Sequence, residues 1–248
     1  MRRVPLAVLG GTFDHLHVGH HALLATSFRV GRTVGIGVTT DRFVSDHPKP
    51  IPERIQPFST RRAALARWVR RTFPGRRWWV IPLDTVLGRS LDPEVRALIV
   101  SPETAAGGRA VNRERRRRKR RPVLLVVVPL ALADDLEPVS SRRIRAGEIA
   151  PDGRRRSAIR VALTTDEPTD RAPAARAIRR VFPKAEVTDT GARRAGSAEL
   201  LVRVARRPAG GWVVAERSPR IRLPPRVLPG RRAIDLERGL VAVLRPRL

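Results

Sequence analysis

The chain has no cysteine, which excludes disulfides and thiolate metal sites and leaves the redox compartment to be judged on other grounds. It has almost no lysine: Lys49, Lys119 and Lys184 stand alone among 51 basic residues, and the rest are arginine. No apolar run approaches the roughly 20 residues of a membrane span. Val123 to Ala133 is short, is interrupted by Pro129, and reads as a core strand. No HExxH glutamate is present, so a helical histidine pair has no metalloprotease motif behind it, and no metal ligand is assigned. Met1-Arg2-Arg3 ahead of a short apolar run has the outline of a signal peptide. Gly10 onward, however, carries site chemistry where a cleavage region would stand, and a cytoplasmic location is expected.

The 248 residues suit one large domain or two ordinary ones, and 42% apolar content is compatible with a real core. A net charge of +28 draws polyanions, both phosphorylated substrates and, nonspecifically, nucleic acid.

The densest chemistry lies in Gly10-Gly11-Thr12-Phe13-Asp14-His15-Leu16-His17-Val18-Gly19-His20. Val4 to Leu9 before it reads as a buried strand, and His21 to Phe28 after it as a helix stopping near Gly31. Glycines let backbone N–H groups approach an anion, and a helix N-terminus favours negative charge. His17 and His20, three apart, share one face of the first turn. With Thr12 and four histidines in seven residues, the pattern outlines a phosphate site.

Beyond it, Thr33 to Thr39 reads as a strand whose glycines allow close approach of backbone or ligand. Lys49 sits in a proline-broken loop. A helix over Thr60 to Thr72 takes Ser59 as N-cap, its arginines facing away from an apolar stripe. Trp78 to Ile81 and Ala97 to Ser101 are strands, Trp78 and Trp79 serving packing, and the turn-rich Pro82 to Glu94 borders the site. Pro102-Glu103-Thr104 opens a helix, where Glu103 suits the N-terminal dipole. That helix runs into the basic stretch Arg113 to Arg121, read as a solvated helix end that binds polyanions without specificity. Val123 to Val128, apolar on both faces, reads as a central parallel strand. Ser140 and Ser141 then start a short helix bearing Arg142, Arg143 and Arg145, a second phosphate-holding element. The alternation predicts an α/β fold, a Rossmann-like doubly wound parallel sheet with ligand at the carboxyl ends of its strands.

The segment GTFDHLHVGH resembles the HxGH signature of the nucleotidylyltransferase superfamily. VGHHALL, IGVTTDRF, VSPET and SSRRIR make residues 1 to about 155 similar to archaeal-type phosphopantetheine adenylyltransferases. The resemblance implies transfer of an adenylyl group from ATP to 4′-phosphopantetheine, giving dephospho-CoA and pyrophosphate in coenzyme A biosynthesis, with Mg²⁺ accompanying ATP. It implies that Thr12 orients the acceptor phosphate, Lys49 neutralises it, and His17 and His20 bind the triphosphate. Gly11, Phe13, Glu103, Ser140, Ser141, Arg143 and Arg145 complete the ATP site, and Arg142 departs from the threonine usual at its position. Another HxGH transferase acting in FAD, NAD or CTP chemistry, or a basic nucleic-acid-binding protein on the same fold, stands as the alternative.

A polar linker over Gly147 to Ser157 is expected to separate domains 1–153 and 157–248. The second, a smaller α/β domain, reads as strand Ile159–Thr164, helix Asp170–Phe182, strands Ala185–Thr188 and Trp212–Glu216, and a last helix near Ala233–Leu244. VALTTDEPTDRAPAARAIRRVFPKAEV and WVVAERSPRIRLPP resemble inosine/xanthosine triphosphatases. That family's Asn-Pro-x-Lys turn is replaced by Glu167-Pro168-Thr169-Asp170, which implies a degenerate domain serving packing, association or regulation.

Overall fold

The computed structural model describes residues 3–85, 87–182, 185–189, 198–217, 223, 225–230 and 232–244. The chain divides into two compact units: Met1–Ala131 with Val139–Gly147, and Leu132–Pro138 with Glu148–Leu248.

The first unit contains β1 (Val4–Gly11), α1 (Val18–Val30), β2 (Gly31–Thr39), α2 (Asp41–Asp46), α3 (Phe58–Thr72), β3 (Arg77–Leu83), β4 (Ala97–Val100), α4 (Ala105–Arg117), β5 (Leu124–Val127) and α5 (Ser141–Arg145). Its strands are all parallel, in the order β3-β2-β1-β4-β5. The order reverses between β1 and β4, where a doubly wound sheet opens a ligand crevice. Only Ala7 and Val8 of β1 pair with β4, whereas β1 pairs with β2 as far as Gly11. The two central strands therefore part before their carboxyl ends, and the crevice starts there.

Alternation along the strands builds both layers. Ala7, Leu9, Val34, Ile36, Val38, Ala97 and Ile99 pack with Leu24 and Phe28 of α1 and Leu65 and Val69 of α3. Leu6, Val8, Leu98 and Val100 pack on the opposite face with Val111 of α4. On β2 that second face carries Gly35 and Gly37. A Cβ at Gly37 would meet Leu83 at 2.5 Å, and one at Gly35 would meet Trp79 at 3.1 Å. The close approach these glycines allow is thus by side chains of β3.

Several boundaries differ from the sequence reading. Pro57, not Ser59, precedes α3, and no side chain caps it. The stretch 102–104 is a turn rather than helix: Ser101 and Thr104 close it, the Ser101 N–H donating to Thr104 Oγ1 at 3.0 Å. The strand expected to be central lies at the sheet edge, which leaves Leu124 46% and Val127 47% exposed.

The second unit contains β6 (Arg160–Thr165), α6 (Pro168–Val181), β7 (Glu186–Asp189), β8 (Leu200–Arg206), β9 (Trp212–Arg217), β10 (Arg226–Leu228) and α7 (Ala233–Leu244). Its mixed sheet runs β10-β9-β8-β6-β7. β7 and β8 flank β6 in parallel, and β9 and β10 continue antiparallel. Ala174, Ala177 and Ile178 of α6 and Leu236, Leu240 and Leu244 of α7 join Val161, Leu163, Val202 and Val204 in one core. The 147–157 stretch is no free linker: Ile149 is fully buried and bridges to Arg155. Of the segments resembling a triphosphatase, residues 183–184, 218–222 and 224 lie outside the described residues.

Candidate active site

The crevice between β1 and β4 holds a cleft of about 700 Å³. Gly11, Thr12, Phe13, His17, His20, Lys49, Glu103, Ser140, Ser141 and Arg145 all line it, as does Arg142. Arg143 does not; it is buried elsewhere in the unit.

Its first wall is the loop from β1 to α1. His17 is the N-cap of α1, and its Nδ1 accepts from the Gly19 N–H at 3.2 Å. That bond fixes the tautomer: in the neutral ring the proton resides on Nε2. The His20 ring stacks on His17 with centroids 3.8 Å apart, and Phe13 lies 5.1 Å below His20. Burial, with a smaller contribution from His21, lowers the His17 pKa to about 4. Burial, and next the neighbouring His17, holds His20 well below the usual imidazole value. At neutral pH both rings are uncharged, and the formal positive charge comes from Lys49 and arginine. His20 Nδ1 is buried with no hydrogen-bond partner.

The loop is strained in two places, Phe13 at φ 52° and His15 at φ 43°, left-handed backbone that non-glycine residues adopt at a cost of about 1–2 kcal/mol each. Hydrogen bonds from three directions hold it. The His15 N–H donates to Gln56 Oε1 at 2.9 Å and the Gln56 N–H to Asp14 Oδ1 at 2.9 Å, while Ser141 Oγ donates to the Asp14 carbonyl at 2.7 Å. Arg61, fully buried, donates to the carbonyls of Thr12 and Thr39 at 2.8 Å and of Gln56 at 2.7 Å, and pairs with Asp41 at 2.7 Å.

The opposite wall is α5. Ser140 is its N-cap, accepting from the Arg143 N–H at 3.4 Å. At five residues α5 offers local N–H donors but little summed dipole. The Arg145 guanidinium is engaged with protein: Nη1 pairs with Asp14 Oδ2 at 2.5 Å and Nη2 donates to the Pro50 carbonyl at 2.8 Å, while Nε is buried without a partner. Its first task is therefore to tie α5 to the β1–α1 loop. Lys49 reaches over the cleft mouth, donating to Thr12 Oγ1 at 2.5 Å. Partial burial, then the nearby Arg145, lowers its pKa. Glu103 is exposed on the rim and caps nothing.

Asp14, Gln56 and Arg61 were not singled out from the sequence. For Arg61 a signal existed: with Leu65 and Val69 it falls at i, i+4, i+8 on the buried stripe of α3. Asp14 sits inside the motif, but its pairing with Arg145 spans 131 residues and no local pattern reports it.

A model of the cytidylyltransferase-like family matches residues 8–147. The chain is similar to the phosphopantetheine adenylyltransferase of Methanopyrus kandleri, 39% identical over 150 residues that make up 60% of this chain and 93% of that protein. To the same enzyme of Methanothermobacter thermautotrophicus it is 40% identical over 163 residues, 65% of this chain and 96% of that protein. A bifunctional phosphopantetheine adenylyltransferase/NTP phosphatase of Thermoplasma volcanium is 34% identical over 163 residues, 65% of this chain but 48% of that protein. With its crevice at the strand-order reversal and its paired imidazoles, the chain belongs to the cytidylyltransferase-like family of nucleotidyltransferases, in the phosphopantetheine adenylyltransferase group.

Proposed function

We propose that the first unit transfers the adenylyl group of ATP to 4′-phosphopantetheine, giving dephospho-CoA and pyrophosphate. The observation carrying this reading is the convergence of Thr12, His17, His20 and Lys49 in one cleft at the sheet's switch point.

A phosphate oxygen of the acceptor attacks the α-phosphorus of ATP. The new P–O bond forms as the bond to the bridging oxygen of the β-phosphate breaks, and pyrophosphate leaves with that electron pair. An acceptor dianion has no proton to lose, so no general base is required. Positioning and charge stabilisation then supply the rate. Lys49, with Thr12 at 2.5 Å, holds the acceptor phosphate. The neutral imidazoles of His17 and His20 donate N–H to the triphosphate. Ser140, Ser141, Arg142 and Arg145 border its far end.

Among the described residues no group of three or more His, Asp or Glu side chains is disposed to hold a cation. The Asp14 carboxylate is already occupied by Arg145 and Gln56. The donor set fits Mg²⁺ that arrives on the phosphates of ATP, with the exposed Glu103 carboxylate on the rim. There it would neutralise phosphate charge. No helix among the described residues is long and apolar enough to cross a membrane, and the ATP-using reaction suits the cytoplasm.

The test is pyrophosphate release with ATP or CTP against 4′-phosphopantetheine, flavin mononucleotide and nicotinamide mononucleotide. Turnover with ATP and 4′-phosphopantetheine far above the other pairs is expected; preference for another pair overturns the acceptor or nucleotide assignment.

For the second unit the reading is a domain without hydrolytic activity. The Thermoplasma relatives are named for an NTP phosphatase as well, yet here Asp170, in the first turn of α6, is bound internally by Arg206 and Trp212. The full chain incubated with inosine or xanthosine triphosphate and Mg²⁺, without acceptor, is expected to release no phosphate or pyrophosphate.

A further inference from the structure

A second concave surface lies on the outer side of the first unit. α3 presents Ser59, Arg62, Ala63, Ala66, Arg67, Arg70 and Arg71, residues at helical spacing along one stripe, and β3 contributes Trp78 and Val80. The stripe runs about 18 Å at 1.5 Å per residue, and the trough encloses about 790 Å³. Ala63 and Ala66 give it depth between the arginines. β3 is the edge strand, so the trough opens at the side of the sheet. None of these residues lines the catalytic cleft.

The charge is unbalanced in a specific way. α3 contains no acidic residue. Among the described residues Arg62, Arg67, Arg70 and Arg71 form no ion pair, whereas on α4 Glu114 pairs with both Arg117 and Arg118. Four guanidiniums crowded without a counter-charge repel one another and favour an anion. Arg70 Cζ lies over the half-buried Trp78 ring, 5.9 Å from its centroid, so a cation and an aromatic face meet in the trough.

We propose that this trough binds single-stranded nucleic acid, with phosphates along the α3 arginines and a base against Trp78. An arginine-lined groove with an aromatic stacking surface is what an unpaired strand requires. A duplex is convex and keeps its bases stacked inside, so it does not bring one to the concave floor. An acidic peptide would use the arginines and leave the indole platform without a partner. The inference stands independently of the adenylyl-transfer reading.

The test is fluorescence anisotropy of labelled 12-nucleotide dT and rU strands with the full chain. One triple variant, R67A/R70A/R71A, empties the trough; a second, R116A/R117A/R118A, removes the same charge from exposed positions at the C-terminal end of α4. The trough variant is expected to bind about tenfold more weakly than the α4 variant, and the slope of log K against log salt to flatten by about 2. Trp78→Leu is expected to weaken binding severalfold at unchanged salt slope, and Trp78→Phe to restore most of it. Adenylyl transfer in all four variants stays within twofold of wild type, which verifies folding. Equal losses in the two triple variants, no loss in Trp78→Leu, equal affinity for a 12-base-pair duplex, or equal competition by polyglutamate would each overturn the proposal.

Discussion

After β1 the chain passes through residues 12–17 into α1; after β6 it passes through Asp166 and Glu167 into α6. Both are strand–turn–helix connections beside a parallel neighbour, and their electrostatics are opposite. The first turn exposes the Thr12 hydroxyl and the His17 imidazole to a cleft, and His20 just beyond it keeps Nδ1 buried without a partner. In the second, Asp170 is 2% exposed, its carboxylate bound by Arg206 Nε and Nη2 and by Trp212 Nε1, each at 2.9 Å. Burial alone would raise the pKa of Asp170, but the hydrogen bonds from Arg206 and Trp212 overcome it and hold the carboxyl below its usual range. A helix N-terminus that favours negative charge is served in α6 by the chain's own acid. The contrast shows that a fold supplies the place for an anion, and side chains decide whether the place is vacant.

The sharpest attack on this contrast is His20→Ala. With the fold kept, turnover should fall at least about 10²-fold, the usual scale for one transition-state donor; a rate within a fewfold of wild type, measured by pyrophosphate release, would remove His20 from the machinery. Next comes pH. His17 titrates near 4 in the fold and near 6.5 unfolded, so between those values the unfolded chain binds more protons. Stability is complete above about 6.5, declines as pH falls, and its His17 contribution, up to about 3 kcal/mol, is gone below about 4. Urea midpoints from pH 7 to 4.5 should show that decline, and His17→Asn, which keeps an N-cap acceptor, should blunt it.

In the second unit, Asp170→Asn leaves the Arg206 guanidinium without its counter-charge. A loss of about 1–3 kcal/mol is expected from thermal or urea melts, with adenylyl transfer unchanged. Any gain of triphosphate hydrolysis in that variant would break the reading of a self-satisfied turn. The smallest effect is on Lys49→Ala, where KM for the acceptor should rise about tenfold, one charge-assisted contact, while KM for ATP moves little. A change confined to ATP would reassign Lys49.

Much of this was legible because it is local. The HxGH loop, its flanking strand and helix, and the α6 and α7 spans follow from spacing within a dozen residues. What escaped depends on long-range partners. Nothing in VLLVVV distinguishes an edge strand from a central one, since both faces of β5 are apolar in either place. β8 alternates Leu200, Val202 and Val204 inward, but its other face carries apolar Leu201 and Ala205 beside Arg203, which blurs the period-two pattern. The glycines of β2 announce a close approach without saying that Leu83 and Trp79 make it. Arg115 stands inside a run read as solvated, yet it is buried and donates to the carbonyls of Ser90, Asp92 and Arg121.

That use of arginine bears on how this sequence can change. Arg61 and Arg115 each satisfy several carbonyls at once through a planar fork, and Arg76 donates to the carbonyls of Phe28 and Gly31 where α1 ends. An ammonium has three donors on one atom and cannot reach acceptors so far apart. On the surface, then, an exchange of arginine for lysine can drift in either direction. At Arg61 and Arg115, both buried, it runs one way: with the surrounding carbonyls left for a guanidinium to fill, a lysine strands them in a dry interior. The arginine-rich composition is thus built into the core at Arg61 and Arg115.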